Sequence, residues 1–154
     1  MRVLFVCTGN SCRSVLAAAC LQARQPTWQV ASGGIRPEAE TSARTLAELR
    51  SCAWALPAEA PKRWEGAGND IGIGTGTGAV NWDAIIVLSP EALAVLERAV
   101  PNAPVLAWTM PDPMAVKGTD SERSAAYRRA RQVLEARLAD WLEAGMPGLG
   151  RQEA

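Results

Sequence analysis

The apolar run Val3-Leu4-Phe5-Val6 passes without a linker into the polar turn Cys7-Thr8-Gly9-Asn10-Ser11-Cys12-Arg13. That turn leads straight into an Ala- and Leu-rich stretch, residues 14–24. A short continuous apolar run reads as a strand buried on both faces, and the Ala/Leu stretch, stopped by Pro26, reads as a helix. The alternation recurs. Residues 28–32 form a second strand closed by Gly33-Gly34, and residues 40–53 a helix with Ala43, Leu46, Ala47 and Leu49 on one side. Residues 83–89 form a third strand. Ser89-Pro90-Glu91 then supplies an N-cap, a proline at the first helical position and an early acid for a helix to Val100. Residues 104–108 form a fourth strand. Thr119 to Glu122 reads as a capping box before a last helix reaching about residue 144.

On that last helix Ala126, Ala130, Val133, Leu134, Leu138, Trp141 and Leu142 recur at three- and four-residue steps and are expected on the core side. Arg123, Arg128, Arg129, Arg131 and Arg137 alternate with acids and are expected on a solvated face. Short strands alternating with helices predict an α/β fold of three layers, a parallel sheet with helices on both faces. The 154 residues make one domain, 1–154. Residues 57–79, with two prolines and six glycines, are expected to form a long loop, and residues 145–154 a frayed tail. Gly74 to Ala79 matches a G-x-G-x-x-A fingerprint, but it precedes a strand where a dinucleotide site needs it to follow one.

Lys plus Arg equals Asp plus Glu, so no global basic field draws nucleic acid or an anionic membrane. No stretch has the roughly 20 apolar residues of a membrane span, and the run before Thr8 is too short for a signal peptide. A cytoplasmic location is expected. The four cysteines, Cys7, Cys12, Cys20 and Cys52, form no C-x-x-C pair, and the sequence contains no histidine. The usual Cys/His zinc site and imidazole-assisted nucleophiles are therefore excluded. No metal and no cofactor are expected.

Cys7 to Ser14 is a C-x5-R-S pattern at a strand-to-helix turn. In the expected geometry Cys7 ends the strand with its sulfur in the bowl of the turn, and Gly9 lets the backbone aim its N–H groups inward. The helix start adds unpaired N–H groups and a positive dipole end. Such a setting holds a phosphate dianion through Thr8, Gly9, Asn10, Ser11 and Cys12. It also favours a thiolate; cysteine pKa values there fall to roughly 3.5–7.5. Arg13 brings a planar fork to two phosphate oxygens, Ser14 a hydrogen bond to the sulfur, and Asn10 a strut for the loop. Asp112 stands between Pro111 and Pro113 on a stiffened loop, suited to give a proton to a leaving oxygen and then take one from water.

Residues 3–14 (VLFVCTGNSCRS), the segment Ala31-Ser32-Gly33-Gly34 and the late Asp112-Pro113 before a long final helix resemble the low-molecular-weight protein tyrosine phosphatases. They equally resemble the arsenate reductases that share that fold. The resemblance implies a four-stranded parallel sheet with flavodoxin-like winding. It also implies a hydrolase of phosphomonoesters, on a protein or a small molecule, through a cysteinyl-phosphate, with Cys7 as nucleophile, Arg13 as clamp and Asp112 as acid. Cys12 would serve either to trap oxidised Cys7 as a reversible disulfide or as a packing residue. Cys20 and Cys52 are expected as buried spacers.

Tyrosine-specific members place aromatics after the Asp-Pro, where this chain has Met114-Ala115, so Trp54 or Trp64 would have to supply an aromatic wall. Phosphotyrosine, phosphoarginine and other phosphomonoesters therefore stay open as substrates. Residues 112–122 also resemble arsenate reductases. Thioredoxin-coupled ones carry resolving cysteines after the third strand, where this chain has Val87-Leu88-Ser89-Pro90. Arsenate reduction with an external thiol is thus a second reading, and a non-catalytic phosphate-binding module a third.

Overall fold

The strand that begins the chain, β1 (Arg2–Cys7), lies inside the sheet, paired in parallel with β2 (Gln29–Gly34) on one side and β3 (Ala84–Val87) on the other. β4 (Val105–Ala107) pairs in parallel with β3, giving the order β2-β1-β3-β4. The computed structural model describes residues 1–66 and 81–149. Among the described residues four α-helices accompany the strands: α1 (Arg13–Arg24), α2 (Ala43–Ser51), α3 (Pro90–Ala99) and α4 (Asp120–Glu143). The expected parallel sheet with helices on both faces is the fold observed.

The two-residue period of β1 divides the core. Val3, Phe5 and Cys7 face one layer, where Leu16, Cys20 and Leu21 of α1, Leu49 of α2 and Leu134 and Leu138 of α4 pack. Leu4 and Val6 face the other, against Ala92 and Leu96 of α3 and the buried Trp64 and Trp82. A strand apolar on both faces has no solvent side, which is why its sequence runs without alternation. No helix among the described residues is long and apolar enough to cross a membrane.

Helix starts follow their sequence signals at α3 and α4. Ser89 Oγ accepts from the Ala92 N–H behind Pro90, and Thr119 and Glu122 complete a capping box. The buried face of α2 differs from the expected one. Thr45, Glu48 and Leu49 are inside, whereas Ala43 and Ala47 are exposed. Polar side chains take core positions there because partners satisfy them: Thr45 Oγ1 donates to Ser11 O, and Glu48 pairs with Arg131 of α4 at 2.6 Å. Arg131, which also meets Glu135, therefore leaves the expected solvated face, and Arg137 stacks over Trp108. Val133 is exposed in place of its expected core position.

The expected fraying does not begin at residue 145. Met146 and Leu149 pack on the core, and Trp141 Nε1 donates to Pro147 O at 3.1 Å. Residues 150–154 lie outside the described residues. Of the expected long loop, residues 57–66 run to a 3-10 turn at Trp64–Gly66, and Arg63 bridges to Gly34 beside β2. Residues 67–79, with the glycine-rich fingerprint, lie outside the described residues.

Candidate active site

The turn between β1 and α1 faces its carbonyls outward. Ile35, Arg36 and Glu38 donate their N–H groups to the carbonyls of Cys7, Thr8 and Gly9, at 3.2, 2.9 and 2.9 Å. Ser11 O accepts from Ser42 N and from Thr45 Oγ1. With these acceptors taken by the flanking segment, the N–H groups of Gly9, Asn10, Ser11 and Cys12 have no acceptor among the described residues. α1 begins immediately afterwards with Cys12 as a cap whose side chain bonds no amide of the first turn, and with no acid in that turn, unlike α3 and α4. The first amides and the positive end of α1 are thus left for a ligand anion.

The residue that bends the turn is Asn10, with φ at 49°, and not Gly9 as expected. Asparagine tolerates the left-handed region because its short amide can bond locally. Gly9 is needed for space instead, since a Cβ there would meet Glu38 Cγ at 2.9 Å. Gly34 of β2 has a similar function: a Cβ on it would stand 2.7 Å from Thr8 O and 2.8 Å from Asn10 N.

Cys7 Sγ lies 3.0 Å from Ser14 Oγ in a buried contact. Asn10 Nδ2 donates to Ser14 Oγ and to Ser32 Oγ, both at 2.9 Å, while its Oδ1 accepts from Lys62 N at 3.0 Å. Either Cys7 or Ser14 can donate in their contact when Cys7 is a thiol; once the sulfur is a thiolate, the proton must come from Ser14 Oγ. The expected strut is therefore a three-way tie among the loop, β2 and the segment after α2.

Arg13 is almost wholly buried. Nη1 donates to Met110 O at 3.0 Å and to Leu88 O at 3.5 Å, and Nη2 lies 3.6 Å from Asp112 Oδ2. Asp112 is partly exposed and accepts the Met114 N–H on Oδ1 at 2.9 Å, capping the short turn Pro113–Ala115. Cys7, Cys12, Arg13 and Asp112 line one cavity of about 210 Å³. The carboxyl ends of β1, β3 and β4 thus bring together residues distant in sequence, as an open parallel sheet does at its switch point.

Met114, at the position where tyrosine-specific members carry an aromatic, lines the same cavity. Other neighbours had no sequence signal. Glu38 lines that cavity too. Arg36 and Glu91 line an adjoining cleft that shares Thr8, Arg13 and Asp112, and Thr8 Oγ1 donates to Ser89 Oγ at 3.0 Å. They reach the site through the ends of β2 and β3, and no spacing in the sequence relates them to Cys7. The expected aromatic wall is not there: Trp64 is buried in the core, Trp54 packs on the core, and neither lines the cavity. Burial pushes the Cys12 thiol up to about 12, partly opposed by a hydrogen bond with Thr45. Burial likewise raises Cys20 in α1, whereas Cys52 is only half-buried.

The first strand of the parallel sheet thus delivers Cys7 into a turn whose amides have no acceptor among the described residues, with Arg13 six residues on. Residues 2–71 match the family model described as low molecular weight phosphotyrosine protein phosphatase. An arsenate reductase of Bacillus subtilis (strain 168) is 28% identical over 149 residues, covering 93% of this chain and 96% of that protein. The crystal structure of the tyrosine phosphatase amsI of Erwinia amylovora superposes with a TM-score of 0.70 at 18% identity, covering 97% of this chain and 93% of that one. The YwlE arginine phosphatase of Geobacillus stearothermophilus superposes with a TM-score of 0.69 at 23% identity, over 99% of both chains. The expected likeness is thus borne out for the fold: this is the low molecular weight phosphatase fold, shared with arsenate reductases, and the family match spans the signature loop and the Ser-Gly-Gly strand end.

Proposed function

We propose that the chain hydrolyses phosphomonoesters through a cysteinyl-phosphate, with Cys7 as nucleophile, Arg13 as phosphate clamp and Asp112 as general acid and base. The reading rests on one observation: Cys7 shares a cavity with Arg13, Asp112 and Gly9, Ser11 and Cys12, whose amides have no acceptor among the described residues. With Nη1 tied to two carbonyls, the guanidinium plane is fixed, leaving Nε and Nη2 for two phosphate oxygens. In the first step the Cys7 thiolate forms an S–P bond, the P–O bond breaks, and Asp112 passes its proton to the leaving oxygen. In the second, Asp112 takes a proton from water as the water oxygen bonds to phosphorus. The S–P bond breaks, with Ser14 Oγ donating to the departing sulfur. The loop amides and Arg13 carry the charge that builds on the equatorial oxygens in both steps.

The arsenate reductase relative favours a second reading in which the same cavity takes tetrahedral arsenate. Its two electrons must then come from thiols. The segment after β3, Leu88-Ser89 entering α3, offers none, and no cysteine follows Cys52. An external thiol would be the reductant. One paired assay separates the readings: phenol release from an aryl phosphate, and thiol-dependent arsenite formation, each with Cys7→Ser as control. Phosphatase turnover abolished by Cys7→Ser supports hydrolysis. Arsenite formation without phosphatase turnover supports reduction, and neither activity leaves a phosphate-binding module.

A further inference from the structure

The cavity of Cys7 continues past Met114 and Ala115 into a groove of about 440 Å³, whose other lining residues are Val116, Lys117, Gly118 and Arg123. Its floor is unusual for this surface. Met114 and Val116 are both large, apolar and exposed, two residues apart at the edge of the site. Lys117 and Arg123 are exposed too, and neither has a carboxylate within salt-bridge distance among the described residues. The nearby acids are engaged: Glu122 accepts from Thr119 N and Thr119 Oγ1, and Asp120 pairs with Arg44. Elsewhere around the site Glu38 lines the Cys7 cavity, and Glu91 lines the adjoining cleft together with Arg36. The groove thus presents two cations without salt-bridge partners among the described residues, although the chain as a whole is neutral.

We propose that this groove is a subsite for an acidic segment flanking the phosphorylated residue of a protein substrate. The inference rests on the phosphatase reading of the adjoining cavity. Apolar stems of the substrate would lie on Met114 and Val116, while its carboxylates meet Lys117 and Arg123.

The test compares kcat/KM for two phosphotyrosyl peptides of one length, with glutamate or with glutamine flanking the phosphotyrosine, beside p-nitrophenyl phosphate. The wild-type protein should prefer the glutamate peptide about fivefold, less at high salt. The double variant Lys117→Gln/Arg123→Gln should lose the preference while turning over p-nitrophenyl phosphate as before, and Lys117→Glu/Arg123→Glu should reverse it. Equal rates on both peptides with intact p-nitrophenyl phosphate turnover would overturn the groove alone. So would a preference that survives in both variants, or turnover of neither peptide. A wild-type protein inert towards p-nitrophenyl phosphate would instead bring down the phosphatase reading, and the subsite with it.

Discussion

Arg13 Nη2 and Asp112 Oδ2 stand 3.6 Å apart, so the side chain we propose as phosphate clamp also touches the one we propose to move the proton. The contact crosses from the start of α1 to the loop after β4, and Arg13 ties to the same region through Met110 O. A guanidinium can hold both carbonyls, the carboxylate and an oxyanion at once because its donors lie in a fixed plane; an ammonium cannot. Arg13→Lys should therefore keep the charge and lower kcat on an aryl phosphate by about 10²- to 10³-fold. Steady-state kinetics check this, and a near-wild-type kcat would show that the fork is not used.

Asn10 combines a left-handed backbone with three side-chain hydrogen bonds. Asn10→Gly removes the bonds and tolerates the backbone, whereas Asn10→Ala suffers on both counts. Both should lose activity, since Ser14 is no longer held towards Cys7. Asn10→Ala should be less stable than Asn10→Gly by about 1–2 kcal/mol. Urea denaturation of the two variants measures the difference.

Cys12 gives a pH dependence whose sign follows from its raised value. Its thiol keeps its proton in the folded chain up to about 12, against an ordinary value of 9.0. Ionisation above pH 9 therefore favours the unfolded chain. This stabilisation is complete below about 9 and is lost as pH rises towards about 12. Cys12→Ala should fall less steeply in stability than the wild type over that window, by denaturant titration at successive pH values, with no difference in slope below it.

Cys7 and Cys12 share the cavity and both are free thiols. Peroxide should convert Cys7 to a sulfenic acid. The Cys12 sulfur then forms the S–S bond as its proton leaves with the hydroxyl as water. Inactivation of the wild-type protein should be reversed by dithiothreitol, and that of Cys12→Ser much less so. Equal recovery of the two would assign Cys12 to packing alone.

Much of the fold was legible because its signals are local. β1 is apolar on both faces, and the caps of α3 and α4 are complete within four residues. Cys7, Arg13 and Ser14 were legible for the same reason, being parts of one turn. What escaped depends on distant partners. Glu48 is buried because of Arg131, and Gly34 lies in a strand because the backbone of residues 8–10 passes against it. Glu38 and Arg36 reach the site only because the segment after β2 bonds the loop carbonyls. Asn10, read as a strut, turned out also to supply the backbone bend assigned to Gly9.

Mass spectrometry of acid-quenched, digested Asp112→Ala protein after mixing with p-nitrophenyl phosphate tests the role of Cys7 most directly. The good leaving group lets the S–P bond form, while loss of the base slows its hydrolysis. The peptide carrying Cys7 should gain one phosphoryl group, absent in Cys7→Ser/Asp112→Ala. Turnover by the wild-type protein with no phosphoryl group on that peptide in the variant, or with one on another residue, would contradict Cys7 as the nucleophile.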